Sequence, residues 1–403
     1  MNLNFQRTVD RVAGKLICRL LSWIYCLRGK PTPPVEFKKI LIILLSEMGS
    51  LVLAYPMFRA IKDKYPGSSI HVLLFEKNRE VLELLDVTPK ENILTLNDES
   101  METFARDSVR VLRGVRSAGF DAVIDCELFA RVSSIFSFFT GAPVHVGFHP
   151  YTQEGLYRGS FINRPVMYNP YHSITQQFLT MVEALDSNTV PTAKRVVVPK
   201  TIEAPSIAFE EEEIQGMAER LYGDFPGIEH KALVLIYPSG GILPIRAWPM
   251  DHYSTLAKAL LDDGHAVAVI GLKEDKAFAE RIASDCSSAD CIDLTGYTRS
   301  IRELLILFHL ASLLITNDGG PGQFAAMTPI PSIIFYGPET PALYGSLSRK
   351  ACFFYLSLSC SPCLTAYNHR NSPCDGDNQC LKRIGPDQVY TKAKEMLANE
   401  FTL

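Results

Sequence analysis

The sequence has no excess of one charge. Its 403 residues carry 40 Lys and Arg against 44 Asp and Glu, a net charge of −4, so it lacks the global electrostatic footprint of a nucleic-acid binder. No uninterrupted apolar run approaches the ~20 residues that a spanning helix needs, which argues against an integral membrane protein. No cleavable signal peptide is expected, because Arg7, Asp10, Arg11, Lys15 and Arg19 interrupt what would be its apolar region. Short-period repeats and low-complexity tracts are also missing. With 47% hydrophobic and 21% charged residues, a mostly disordered chain is excluded. Cysteine, by contrast, is plentiful: ten in all, four of them between Cys360 and Cys380. In a chain without a leader these suggest a reducing compartment, with thiols or a metal site rather than a disulfide framework.

The length allows two or three domains at roughly 150 residues each. Residues 4–28 read as one helix. At 100° per residue, Arg7, Arg11, Lys15 and Arg19 share one arc, while Val9, Val12, Leu16, Ile17, Leu20, Leu21, Ile24 and Leu27 fill most of the other side. A basic amphipathic helix of this kind suits an anionic membrane surface; the plainer alternative is a helix packed on the rest of the protein. Gly29 stops it, and Pro31, Pro33 and Pro34 form a linker, which sets residues 1–34 apart.

From Lys39 the pattern becomes alternating strands and helices. Lys39 to Leu45 is a continuous apolar run of the kind buried on both faces of a parallel sheet. A loop over Ser46 to Ser50 should lead into a helix over Leu51 to Tyr65, followed by a strand at Ser69 to Phe75, a helix at Thr103 to Ser117 and a strand at Ala122 to Asp125. A less regular stretch from about Val190 to His230, with its acidic run Glu210 to Glu213, holds a domain boundary. A second series begins with strand Ala232 to Tyr237 and continues through strands at His265 to Gly271, Leu313 to Thr316 and Ser332 to Tyr336. The fold class is α/β, with doubly wound sheets over residues 35–200 and 201–403.

Ligands of open α/β sheets bind at the carboxyl ends of strands. Three such ends carry candidate chemistry. Asp318, Gly319, Gly320, Gly322 and Gln323 follow one strand, where glycines would let the backbone approach a diphosphate. Ser239, Gly240 and Gly241 follow another, with Arg246 able to grip phosphate oxygens as a fork. Each of these loops taken alone is equally compatible with a ligand-free turn. The third end carries Glu47 and Ser50; Glu47 would serve as a general base if its site excluded water, or is a solvated loop carboxylate.

The stretch ILIILLSEMGSLVLAYPMFRAIKDKYPGSSIHVL resembles the opening of glycosyltransferase family nine, the bacterial lipopolysaccharide heptosyltransferases. DAVIDCELFARVSS, RAWP, DLTGYTRSIRELLILFHLASLLITNDGGPGQFAA and IIFYGPETP are similar to it as well, in family order from Lys39 to Pro341. The resemblance implies a GT-B fold: an acceptor domain, a nucleotide-sugar domain and a cleft between them. It also implies inverting transfer without a metal, typically of heptose from ADP-heptose to a lipid-linked or lipopolysaccharide-type saccharide, by a peripheral enzyme on the cytoplasmic face of the bacterial inner membrane. It further implies that Arg246 stands for the family's phosphate-binding Lys, that Asp318 matches its motif Asp, and that Arg131 falls where a basic residue reaches sugar or acceptor. Glu274 lies near a carboxylate that holds the ribose. Two positions depart from the pattern. Ser50 stands where the family has its catalytic Asp, and Gln323 where it usually has His. Serine is no base near neutral pH, so another group must act: Glu47 first, then Glu127, then His149, which also stands among the candidate acceptor residues.

Cys360, Cys363, Cys374 and Cys380 have spacing compatible with a structural tetrahedral zinc, or with thiols that fix an irregular loop. Two other functions fit the same architecture: a sugar-nucleotide epimerase or hydrolase, and a silent glycan- or nucleotide-sugar-binding protein.

Overall fold

The computed structural model describes residues 8–29, 31–45, 47–128, 130–149, 157–197, 202–367 and 370–400. Residues 4–7 of the expected first helix and Ser46 of the first loop lie outside them. The chain divides into two compact units, Met1–Glu203 and Ala204–Leu403.

In the first unit β1 (Lys39–Ile43), β2 (Ser69–Phe75), β3 (Ile93–Leu96), β4 (Ala122–Asp125), β5 (Val144–His149) and β6 (Arg164–Met167) form one sheet. Its order is β3-β2-β1-β4-β5-β6, with every pairing parallel. Ile40 to Ile43 are completely buried, which is why β1 reads as unbroken aliphatics rather than an alternating strand. The second unit repeats the plan with β7 (Leu233–Tyr237), β8 (Ala266–Gly271), β9 (Cys291–Thr295), β10 (Leu313–Asn317), β11 (Ser332–Tyr336) and β12 (Ala351–Tyr355). These lie parallel in the order β12-β11-β10-β7-β8-β9. Each unit therefore starts in the interior of its sheet, winds outward to one side, then returns and winds to the other. The direction reverses between β1 and β4, and again between β7 and β10. In open α/β sheets, reversal points of this kind are where ligands bind, beyond the carboxyl ends of the strands.

Two local readings need correction. The helix expected over 51–65 is two helices, Met48–Leu53 and Tyr55–Lys64, hinged at Ala54. Pro56 lies at the second position of the later helix and has no N–H to continue the earlier one. The acidic run at Glu210 is not irregular: it starts the helix Glu211–Asp224, with Glu210 and Glu213 closing a reciprocal capping box.

The N-terminal helix runs through a π-helical turn, Asp10–Gly14, into the α-helix Lys15–Arg28 and ends at Gly29 with φ 78°. It is fixed to the first unit by a narrow face. Leu21 packs with Phe138, Phe161 and Ile162, and the Ser22 hydroxyl bonds the Cys18 carbonyl at 2.6 Å and the Tyr157 hydroxyl at 2.8 Å. No helix of the described residues is long and apolar enough to cross a membrane.

Candidate donor site and catalytic loop

In the second unit the two glycine-bearing loops leave β7 and β10, adjacent strands at the reversal point. Asn317, the last residue of β10, joins them. Its amide nitrogen donates to the carbonyls of Pro238 and Ser239 at 3.0 and 3.1 Å. Its oxygen accepts from the backbone N–H of Trp248 at 2.9 Å and the hydroxyl of Tyr253 at 3.0 Å. Trp248 is buried, stacks on Phe335 of β11 at 4.5 Å and so anchors the Arg246 segment to the sheet. Glycine is required in the first loop for room. A Cβ on Gly240 would lie 2.8 Å from the Leu243 carbonyl oxygen and from the Pro244 Cα, and Gly241 has φ 59°. The Ser239 hydroxyl accepts from the Gly241 N–H at 3.1 Å and holds that bend.

Around these loops sits a cluster of buried charge. The Arg246 guanidinium reaches Glu339 at 2.5 Å and lies 3.7 Å from Asp318. Glu339, just past β11, also faces Arg370 at 3.1 Å, and Arg370 in turn lies over the Tyr344 ring at 5.3 Å. The Tyr344 carbonyl accepts from Gln323 Nε2 at 2.7 Å and the Tyr336 hydroxyl at 3.0 Å. Gln323, Tyr344, Arg370, Glu339, Arg246 and Asp318 thus form a chain of contacts beside the glycine loops. Burial pushes the Glu339 carboxyl well above the usual carboxylate range, against the pull of Arg246. Glu339 Oε1 has only the ion pair to Arg370, Arg246 Nε and Asp318 Oδ2 face each other at 3.7 Å, beyond hydrogen-bond range, and Gln323 Oε1 is buried without a hydrogen bond among the described residues. A buried polar atom left so costs about 1–3 kcal/mol, which a polar ligand carrying both donors and acceptors would recover.

The remaining second-unit candidates lie nearby or apart. Glu274 is exposed on the turn after β8, while the adjacent Asp275 carboxylate accepts from the Leu272 N–H at 2.9 Å. The cysteine segment is tied to the loop that carries Glu339. The N–H groups of Cys363 and Leu364 donate to the Pro338 carbonyl at 2.9 and 2.8 Å, and a Cβ on Gly337 would meet Cys380 Sγ at 2.9 Å. Burial and the nearby Cys363, Cys360 and Cys374 push the Cys380 thiol up to about 11. The described residues nonetheless contain no group of three or more His, Cys, Asp or Glu that could hold a metal ion. Of Tyr367, Asn368, His369 and Arg370, the stretch beside the cysteines to which the sequence assigns no definite role, Asn368 and His369 lie outside the described residues.

In the first unit the corresponding reversal point carries the loops after β1 and β4. Glu47 precedes the helix Met48–Leu53, and the Ser50 hydroxyl donates to its Oε2 at 3.3 Å. The two residues that the sequence singled out are therefore one pair, with serine orienting the carboxylate. Glu127 is turned inward: its Oε1 accepts from the Leu45 N–H at 2.6 Å, and the side chain links the ends of β1 and β4. Arg131 is buried, donating from Nε to the Tyr157 carbonyl at 3.0 Å. His149 ends β5, and burial together with the Arg158 charge holds its imidazole below the usual histidine range.

Two participants, Glu339 and Arg158, escaped sequence reasoning, and a third, Arg370, has no assigned role there. Glu339 and Arg370 complete the donor-side cluster. Arg158, buried in the first unit, pairs with Asp125 and donates to the carbonyls of Glu127 and Ala130 and to the Ser133 hydroxyl, tying together described residues of the loop after β4. Nothing in the local sequence around Arg158 marks it; its role comes from where the fold brings it.

The model of glycosyltransferase family 9 (heptosyltransferase) matches residues 108–372. Lipopolysaccharide heptosyltransferase 2 of Salmonella typhimurium is 25% identical over 367 residues, covering 90% of this chain and 99% of that protein. Lipooligosaccharide heptosyltransferase 2 of Haemophilus ducreyi is 24% identical over 365 residues, covering 89% and 99%. Among solved structures, Escherichia coli ADP-heptose lipopolysaccharide heptosyltransferase II aligns with a TM-score of 0.68 at 20% identity, over 90% of this chain and 99% of that one. A family 9 glycosyltransferase from Veillonella parvula gives 0.68 at 18% identity, over 92% and 100%. These likenesses show the fold, two Rossmann-like units of the GT-B class.

Proposed function

The chain belongs to glycosyltransferase family 9, the heptosyltransferases, and from that premise we propose that it moves heptose from ADP-heptose, with inversion, onto a lipid-linked saccharide of lipopolysaccharide type. The observation that carries this reading is the convergence of the Gly240 and Gly319 loops beside Arg246 at the β7/β10 reversal point. In our assignment the donor diphosphate lies along Ser239, Gly240, Gly241 and Asp318 to Gln323, and Glu274 takes the ribose. Glu47, oriented by Ser50, removes the proton of the acceptor hydroxyl. That oxygen attacks the anomeric carbon, the bond to the phosphate oxygen breaks, and its electron pair leaves on the nucleotide diphosphate. Arg246 meets the growing charge, as a preorganised cation should. Arg131 and His149 belong to the acceptor side. The basic N-terminal helix supports a peripheral place on the inner face of the bacterial cytoplasmic membrane.

A thermal-shift panel of nucleotide sugars followed by a transfer assay tests this. ADP-heptose should raise the melting temperature while UDP and GDP sugars leave it unchanged, and product should form only with acceptor present. Turnover of the nucleotide sugar alone would instead support a hydrolase or epimerase.

A further inference from the structure

The N-terminal helix is anchored by one narrow face and presents another, apolar, to solvent. Val9, Val12, Leu16, Leu20, Trp23 and Leu27 recur at three- and four-residue steps, and all six are exposed, from 41% at Val9 to 67% at Leu27. The residues that fix the helix, Cys18, Leu21 and Ser22, lie on the other side. Between the two faces run Arg11, Lys15 and Arg19, exposed like Arg28. The single acid among the described residues of this helix, Asp10, is turned inward. Every exposed charge among the described residues of the helix is therefore positive, and the apolar stripe includes Trp23, a residue suited to the boundary between acyl chains and headgroups.

We propose that this stripe inserts into the interface of an anionic lipid bilayer, with Arg11, Lys15 and Arg19 on the headgroups, and that the docked helix holds the loop after β4 in place. The coupling runs through Asp10. Its Oδ1 accepts from the backbone N–H groups of Arg131 and Val132 at 2.7 and 3.0 Å, so it caps the helix Val132–Thr140 from a distant part of the chain. The Arg131 guanidinium stands 3.5 Å from its Oδ2, and a Cβ on Gly14 would lie only 3.0 Å from the Arg131 Cβ. The helix that touches lipid thus bears directly on the first-unit loop assigned to the acceptor, and a saccharide rising from the same bilayer would meet that loop. A second copy of the chain fits the stripe less well, because pairing two such helices brings two rows of cations together. The inference rests on the reading of a peripheral enzyme with a lipid-linked acceptor.

The full chain is sedimented with vesicles of phosphatidylethanolamine and phosphatidylglycerol, and with vesicles of phosphatidylcholine alone. Binding should be at least tenfold stronger to the anionic vesicles, with a blue shift of Trp23 emission. The triple change Leu16→Ser, Leu20→Ser and Trp23→Ser alters only exposed positions, and it should weaken binding at least tenfold while leaving the nucleotide-sugar melting shift intact. A wild-type chain that stays in the supernatant with both vesicles would overturn the proposal. So would a triple variant that still pellets, or a wild-type dimer that the triple change converts to monomer. The coupling has its own readout: anionic vesicles should slow amide hydrogen exchange over residues 131–140, and Asp10→Ala, which removes the acceptor of both backbone bonds, should abolish that slowing while the protein still pellets. Exchange there that ignores vesicles would overturn the coupling. Absence of any nucleotide-sugar shift in wild type would sink the transferase reading and leave the vesicle result standing.

Discussion

A serine where a carboxylate is expected looks like a loss of function until its partner is seen. The Ser50 hydroxyl reaches Glu47 Oε2 at 3.3 Å, and in our assignment it orients that carboxylate. If Glu47 takes the proton, Glu47→Gln should lower kcat by about 10²–10⁴ with the donor KM unchanged, the range general bases usually provide. Ser50→Ala should cost roughly tenfold, about one hydrogen bond. Steady-state rates at saturating donor decide: full activity in Glu47→Gln would exclude it as base. Arg246 makes the opposite prediction. It is held between Asp318 and Glu339, and Arg246→Lys keeps the charge but loses the planar fork, so the donor KM should rise about tenfold with little change in kcat. Arg246, Asp318 and the glycines were legible because glycine-rich turns directly follow buried apolar runs. Glu339 was not, because it reaches Arg246 only through the return of a later strand to the same sheet end, and Arg370, noted in the sequence without a role, gains one only by pairing with Glu339.

Among the elements, the strands easiest to read lie inside the sheets, where covering on both faces forces unbroken apolar runs such as Ile40 to Ile43. The sequence reading missed β3, β6, β9 and β12, which are the four sheet edges. Strand β6 is only Arg164–Met167 and contains Pro165, which an edge tolerates and an interior strand would not. The reading also placed no strand at β5, where His145 sits deep in the sheet with a ring nitrogen 2.8 Å from the Ser137 hydroxyl. Burial holds its pKa down at about 4. The folded protein therefore refuses a proton that the unfolded chain accepts below its ordinary value of 6.5, so stability is complete above that pH and declines as pH falls toward 4. The full decline from this group is about 3 kcal/mol. Urea midpoints measured from pH 7.5 to pH 4 should show it, and His145→Gln should flatten the profile between pH 6.5 and 4; an unchanged slope would mean that other groups set the acid limit.

At the scale of the molecule, each unit is complete in the sense that matters for folding: six parallel strands, helices on its faces and its own buried cluster. In the second unit that cluster joins Trp248, Tyr253 and Phe335 to Leu381, Val389 and Leu397 near the end of the chain, so the last helix seals the same core that anchors the Arg246 segment. Every contact described around the donor loops, from Asn317 to Arg370, is likewise made within Ala204–Leu403. A fragment of residues 204–403 should consequently unfold in one cooperative transition and bind ADP within about tenfold of the full chain, a difference below about 1.4 kcal/mol. Calorimetric titration of both proteins with ADP measures this directly. The Asn317→Ala fragment is the internal control. It leaves the Trp248 N–H and the Pro238 and Ser239 carbonyls without their partner, so it should lose about 1–3 kcal/mol of stability and bind ADP more weakly, because the two loops are no longer tied. A cooperative fragment that ignores ADP while the full chain binds it would show that the nucleotide is not held by these loops alone, and the assignment of the donor to the second unit would have to be withdrawn.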